Sequence, residues 1–263
     1  MGCQGWEPVD CGEWPAQAAA IARARIAAMT AEGESIAANV ERVRKRVARA
    51  AERAGRDPGE ITIVAVSKTF SAEAIRAAYE AGLRNFGENR VQEFEAKRAK
   101  LADLGDVTWH FIGHLQGNKA RRAMHLFDRI DSVDSLALAR RLDQAAAEEG
   151  KRLPVLIEVH LGSEATKSGV AEAELAALAD DVSLLASLQL RGLMTIPPYS
   201  EDPELARPYF RKLRELRDNL SERFGWTLPA LSMGMSHDFE VAIEEGATEI
   251  RPGTALFGER TKD

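Results

Sequence analysis

The stretch ITIVAVSKTFSAEAIRAAYEAGLRNFGENR, Ile61 to Arg90, contains one full period of the pattern that decides the fold. Six of the seven residues before Lys68 are Ile, Thr, Val or Ala, the composition of a strand buried on both faces. After Lys68 the period changes: Ala72–Ala81 reads as a helix and Asn85–Gly87 as a minimal second strand. Working outward, the alternation repeats. Strands are expected at Trp109–Ile112, Arg129–Val133, Pro154–His160, Leu188–Met194, Leu231–Ser232 and Glu249–Arg251. Helices are expected between them at Val91–Leu104, Lys119–Leu126, Leu136–Glu149, Glu172–Leu185, Leu205–Phe224 and Asp238–Glu245. Strands alternating with helices imply parallel pairing with helical crossovers. Eight such units in about 200 residues predict an α/β fold of one closed (β/α)8 TIM barrel. The alternative is a doubly wound open sheet, weakened because no G-x-G-x-x-G follows the first strand.

Upstream, Ile36, Val40, Val43, Val47 and Ala51 form one face of an amphipathic helix closed by Gly55. Its other face carries Arg42, Arg44, Lys45, Arg46, Arg49 and Arg53 and reads as solvated. Residues 1–33 read as an irregular N-terminal extension and 34–263 as a single barrel domain, with Met29 a plausible natural start. Both cysteines, Cys3 and Cys11, lie in the extension, where they cannot staple the fold and match no metal spacing.

A net charge of −6 argues against binding nucleic acid through a large basic surface. No apolar run reaches the roughly 18–20 residues of a membrane span, and no secretory signal pattern is evident. A cytoplasmic location is expected.

Barrel chemistry sits at the C-terminal ends of the strands. Lys68 ends the first strand, where partial desolvation favours the neutral, nucleophilic amine that imine formation requires. From position alone, a lysine reaching the rim with no special role remains the competing reading. LSMGMSHDFE, Leu231 to Glu240, follows the seventh strand and opens a helix, and its small residues Ser232, Gly234 and Ser236 allow close backbone approach to an anion. IRPGTALFG, Ile250 to Gly258, follows the eighth and offers Gly253 and Thr254. Phosphate sites recur in the loops after strands seven and eight of this fold. Arg251 ends the eighth strand, within reach of a ring nitrogen or a phosphate. Asn89 follows the second strand, where Glu88-Asn89 also reads as a helix start. Strand alternation puts His110 and Ile112 on one face. A hydrogen-bonded His110 inside the barrel is favoured over a metal site with His114, and no metal is expected. Lys167 lies in a Ser/Gly loop after the fifth strand; a plain surface-loop lysine is the favoured reading, with a transient amine or anion contact the alternative. A Schiff-base lysine, a phosphate cradle and a neighbouring arginine together fit pyridoxal 5′-phosphate (PLP).

AVSKTF, FGENRVQE, WHFIGHLQGNK, RGLMTIP, LSMGMSHDFEVAIEEG and IRPGTALFGER occur in an order and spacing that resemble the pyridoxal phosphate homeostasis protein family, from about Ile36 to Arg260. The resemblance implies a barrel like the N-terminal domain of alanine racemase, with PLP held as an internal aldimine on Lys68. It further implies that Ser232–Ser236 and Gly253-Thr254 hold the phosphate, that Arg251 faces the pyridine nitrogen and that Asn89 lines the pocket. His160-Leu161, Pro252 and His237 depart from the commoner pattern. The implied role is intracellular PLP buffering or delivery, with PLP-requiring apo-enzymes as recipients, and amino-acid and keto-acid balance. A monomer or weak dimer without robust catalysis is expected. Racemisation needs a second base, which alanine racemases supply from a β-rich domain, and this chain ends shortly after Thr254. A small PLP-dependent racemase or lyase is the alternative, and a cofactor-free aldolase-like barrel the third.

Overall fold

The apolar run before Lys68 forms the first of eight strands that close on one another. They are β1 (Thr62–Val66), β2 (Asn85–Glu88), β3 (Thr108–Phe111), β4 (Arg129–Val133), β5 (Leu153–His160), β6 (Leu188–Met194), β7 (Ala230–Met235) and β8 (Glu249–Arg251). Every pairing between neighbours is parallel. The ring shuts where β8 joins β1, with Thr62 opposite Glu249 and Ile63 opposite Ile250. This computed structural model describes residues 35–162 and 168–259. A two-residue strand, Val170–Ala171, pairs with the end of β5 outside the ring.

The crossovers are helical: α1 (Ile36–Arg53) precedes the barrel, followed by α2 (Ala72–Glu80), α3 (Val91–Arg98), α4 (Ala120–Leu126), α5 (Leu136–Glu148), α6 (Glu172–Ser183), α7 (Arg207–Phe224), α8 (Phe239–Glu244) and α9 (Thr254–Phe257). Ser35, Ser71 and Ser135 cap α1, α2 and α5 by accepting the N–H groups of Ala38, Ala74 and Leu138. Between strands and helices, Phe86, Phe94, Trp109, Phe111 and Phe127 pack in tilted and edge-on pairs with ring centroids 4.7–5.5 Å apart. Among the described residues, no helix is long and apolar enough to cross a membrane.

Several expected boundaries move. The seventh strand, expected to end at Ser232, runs on to Met235, so SMGM is extended sheet. Glu88 likewise belongs to β2, and α3 begins at Val91. α7 starts at Arg207, which leaves Leu205 exposed on a 3-10 turn, while Phe210 rather than Tyr209 is fully buried. The apolar stripe of α1 is buried as expected, but its basic face is not all solvated. Arg46 grips Glu240 through two N–H groups and lies 4.3 Å over the Phe239 ring, and Arg53 pairs with Glu244. These contacts fasten α1 to α8.

The lumen is polar. His110 lies 2.9 Å from Asp131 and 3.1 Å from the Asn85 side-chain oxygen, as a hydrogen-bonded histidine inside the barrel. His114 instead pairs with Asp134 at 3.1 Å, so the two histidines do not converge. Donor atoms of His110, Asp131 and Glu249 lie within 4.8 Å of one another. However, the Arg129 guanidinium already donates to both carboxylates, to Glu249 through two N–H groups. Burial pushes Asp131 up, but Arg129 and His110 outweigh it and hold its pKa below the usual value.

Removing Arg129 leaves two acidic groups buried without their partner. Arg129→Met is expected to cost about 3–5 kcal/mol of stability near neutral pH. The loss should shrink as the pH falls and the orphaned carboxyls protonate, which urea unfolding at neutral and acidic pH measures.

Candidate functional site

A cavity of about 360 Å3 opens at the C-terminal ends of the strands, lined by seven of the nine expected site residues: Lys68, Asn89, Met235, Ser236, Arg251, Gly253 and Thr254. Its apolar wall is Val66, Phe70, Ile112 and Ile196, with Tyr199 and His237 also lining it. Ser232 and Gly234 lie in β7 and are not among the residues that line the cavity.

The closing strand pair makes this meeting possible. Val66 N–H donates to the Pro252 carbonyl at 2.9 Å, extending the β1–β8 ladder past its last paired residues. Pro252 has no N–H to give, yet its carbonyl keeps the two strand ends side by side. Lys68, half-buried two residues beyond β1, thereby stands beside Gly253 and Thr254 at the cavity.

Across from it, the Ser236 hydroxyl accepts the N–H groups of Gly253 and Ala255 at 3.0 and 3.1 Å. This ties the end of β7 to the turn that opens α9. Asp238 braces the same segment by accepting the Met235 N–H at 2.6 Å. Burial pushes the Asp238 carboxyl up, opposed by that N–H and by Arg251. Gly234 has φ +90°, and a Cβ there would stand 2.6 Å from the Ala242 Cβ and 2.9 Å from the Phe239 Cα. Glycine is required by a left-handed backbone and by α8 packing on it.

Arg251 is buried, donating to the Ser232 hydroxyl at 2.7 Å and to the Thr195 carbonyl at 2.8 Å. Burial lowers its pKa, while Asp131, Glu158, Asp238 and Glu249 pull it back up. Ser232 therefore orients the arginine that lines the cavity. Asn89 follows β2, packed on Gly113, where a Cβ would lie 2.5 Å from the Asn89 carbonyl oxygen.

Phe70, Ile196, Tyr199 and His237 were not expected to face the site. Phe70 stacks on Phe257 at 4.8 Å, and Tyr199 stands 5.9 Å from His237, ring to ring. Tyr199 is 77% exposed and Ile196 39%. They follow β6 in a segment with no periodic signal, and only RGLMTIP pointed toward it. Lys167 lies outside the described residues.

Residues 34–261 match the family described as alanine racemase, N-terminal domain. With the closed ring, this defines the class as an alanine racemase N-terminal-type barrel. The relatives narrow it further. The chain is 51% identical over 221 residues to the pyridoxal phosphate homeostasis protein of Aquifex aeolicus, covering 84% of this chain and 96% of that one. It is 44% identical over 229 residues to the Escherichia coli protein of that name, covering 86% and 97%. The structure of PipY from Synechococcus elongatus with PLP bound is similar at a TM-score of 0.73 and 44% identity, covering 81% of this chain and 100% of that one. The chain belongs to the pyridoxal phosphate homeostasis protein family.

Gly234→Ala should destabilise the fold by about 2–4 kcal/mol through the strained backbone and the overlap with α8. Thermal unfolding checks this.

Proposed function

We propose that the chain binds PLP, holds it on Lys68 as an internal aldimine and serves intracellular PLP buffering or delivery rather than robust catalysis. The observation that carries this reading is the cavity that brings Lys68, Ser236, Gly253, Thr254 and Arg251 to one space. The donor set fits the cofactor. A half-buried lysine amine suits condensation with the aldehyde, in which the C=N bond forms and one water leaves. The Gly253 and Ala255 N–H groups, now on the Ser236 hydroxyl, and the exposed Thr254 offer donors of the kind a phosphate takes. The apolar wall suits the pyridine ring. PLP bound to PipY and the naming of the curated relatives support the same reading.

Arg251 bears on whether chemistry follows binding. A pyridine nitrogen facing a guanidinium stays unprotonated, which makes the ring a weaker electron sink. Ser232 and the Thr195 carbonyl fix the guanidinium, and its burial makes displacement costly. Buffering and delivery to PLP-requiring apo-enzymes, with an influence on amino-acid and keto-acid balance, fit such a site better than turnover. The alternative is a small PLP-dependent racemase or lyase.

Purified protein incubated with PLP should show a visible Schiff-base band that Lys68→Ala abolishes or strongly reduces. A panel of L- and D-amino acids should give no turnover above free PLP. An unaltered band in Lys68→Ala would remove the assignment, and turnover well above free PLP would favour the enzyme.

A further inference from the structure

Thr69, next to Lys68, stands in a backbone shape that a β-branched residue does not adopt by itself. Thr69 has φ +69°, the one positive φ at a non-glycine among the described residues. A β-branched residue there is a genuine outlier, and such outliers persist only where the surroundings over-determine them. The surroundings here are a network outside the cavity, built on α3 and β2.

Its centre is Lys97 on α3, with its side chain 12% exposed. The Lys97 Nζ lies 3.2 Å from the Ser67 carbonyl oxygen and 3.2 Å from that of Phe70. These two carbonyls bracket Lys68 and Thr69. The same Nζ lies 2.7 Å from Glu88 Oε1 and 3.1 Å from Glu93 Oε1. Both carboxylates also grip the loop directly: the Ser67 hydroxyl donates to Glu88 at 2.7 Å, and the Thr69 N–H donates to Glu93 at 2.5 Å. Burial pushes Glu93 up, but the Thr69 N–H and Lys97 outweigh it and leave its pKa lowered. Lys97 is not among the residues that line the cavity.

We propose that Lys97, with Glu88 and Glu93, is a positioning device that holds the strained Lys68–Thr69 segment in the shape that presents the Lys68 amine to the carbonyl of a bound aldehyde. This rests on the reading of Lys68 as the PLP-linking residue. The phosphate contacts expected of the cavity come from the end of β7 and from β8 and α9, which this network does not touch; of the apolar wall it bonds to Phe70 alone, through the backbone carbonyl. Loosening it therefore leaves PLP able to bind and lowers the share of bound PLP that is joined to Lys68.

The test separates two quantities at saturating PLP: total PLP bound, from cofactor released on denaturation, and the linked share, from the visible band. Lys97→Met removes the amine at similar length. The ratio of linked to unlinked bound PLP should fall roughly fivefold while total bound PLP stays near wild type, the factor that about 1 kcal/mol of left-handed strain represents in an equilibrium constant. Lys97→Arg keeps donors and charge and should recover part of it. Glu93 is half-buried, so Glu93→Met removes the Thr69 acceptor without orphaning a buried charge, and it should lower the linked share even if Lys97→Met does not fold. Glu93→Gln, which keeps an oxygen for that N–H, should stay close to wild type. A wild-type linked share in either methionine variant overturns the proposal. So does a fall in melting temperature and total bound PLP together at constant linked share, the signature of general weakening. A band that persists in Lys68→Ala instead overturns the underlying reading of Lys68.

Discussion

The hydrogen bond from Val66 N–H to the Pro252 carbonyl is the join on which the site depends. A parallel barrel closes only when its first and last strands pair, and that closure brings distant parts of the chain to one mouth. Here β1 delivers Lys68, while β8 and the turn after it deliver Arg251, Gly253 and Thr254. Neither strand end has a site without the other. The Ser236 hydroxyl adds the third element by bonding to the N–H groups of Gly253 and Ala255, so β7 enters the same unit.

Below the mouth the lumen is filled with charge rather than aliphatic side chains alone. Arg129 crosses from β4 to Glu249 on β8, the strand that also carries Arg251 two positions later. Buried ion pairs contribute little net stability, but breaking one is costly, so they resist rearrangement. Above that floor, Arg251 is fixed by its own buried bonds to the Ser232 hydroxyl and the Thr195 carbonyl. Moving that guanidinium means breaking several buried contacts together, which is in keeping with the proposal that bound PLP is held rather than turned over.

Much of this architecture is legible in the sequence because it is periodic or local. The change from β-type runs to helical stretches places every strand, and the polar residues just past strand ends supply Lys68, Asn89, Arg251, Gly253 and Thr254. What escapes is set by partners far away in the chain. NFGE is only four residues long, so Glu88 reads equally as a helix start, and only its bonds to Ser67 and Lys97 reveal it as a buried strand residue. Gly234 reads in the sequence only as a small residue for close backbone approach, and the demand that α8 packing makes on it comes from a separate element. Tyr199 and Ile196 reach the cavity from a segment whose course depends on tertiary packing rather than on any repeat. The basic face of α1 looks solvated because Glu240 and Glu244 lie in a distant helix.

The central claim is that one lysine, placed by barrel closure, carries the cofactor. Borohydride reduction of the PLP-loaded protein fixes any Schiff base as a stable secondary amine, and peptide mass spectrometry then locates it. The account predicts a single dominant pyridoxyl adduct on Lys68. A dominant adduct on another lysine, or none at all in a protein that retains PLP, would contradict it.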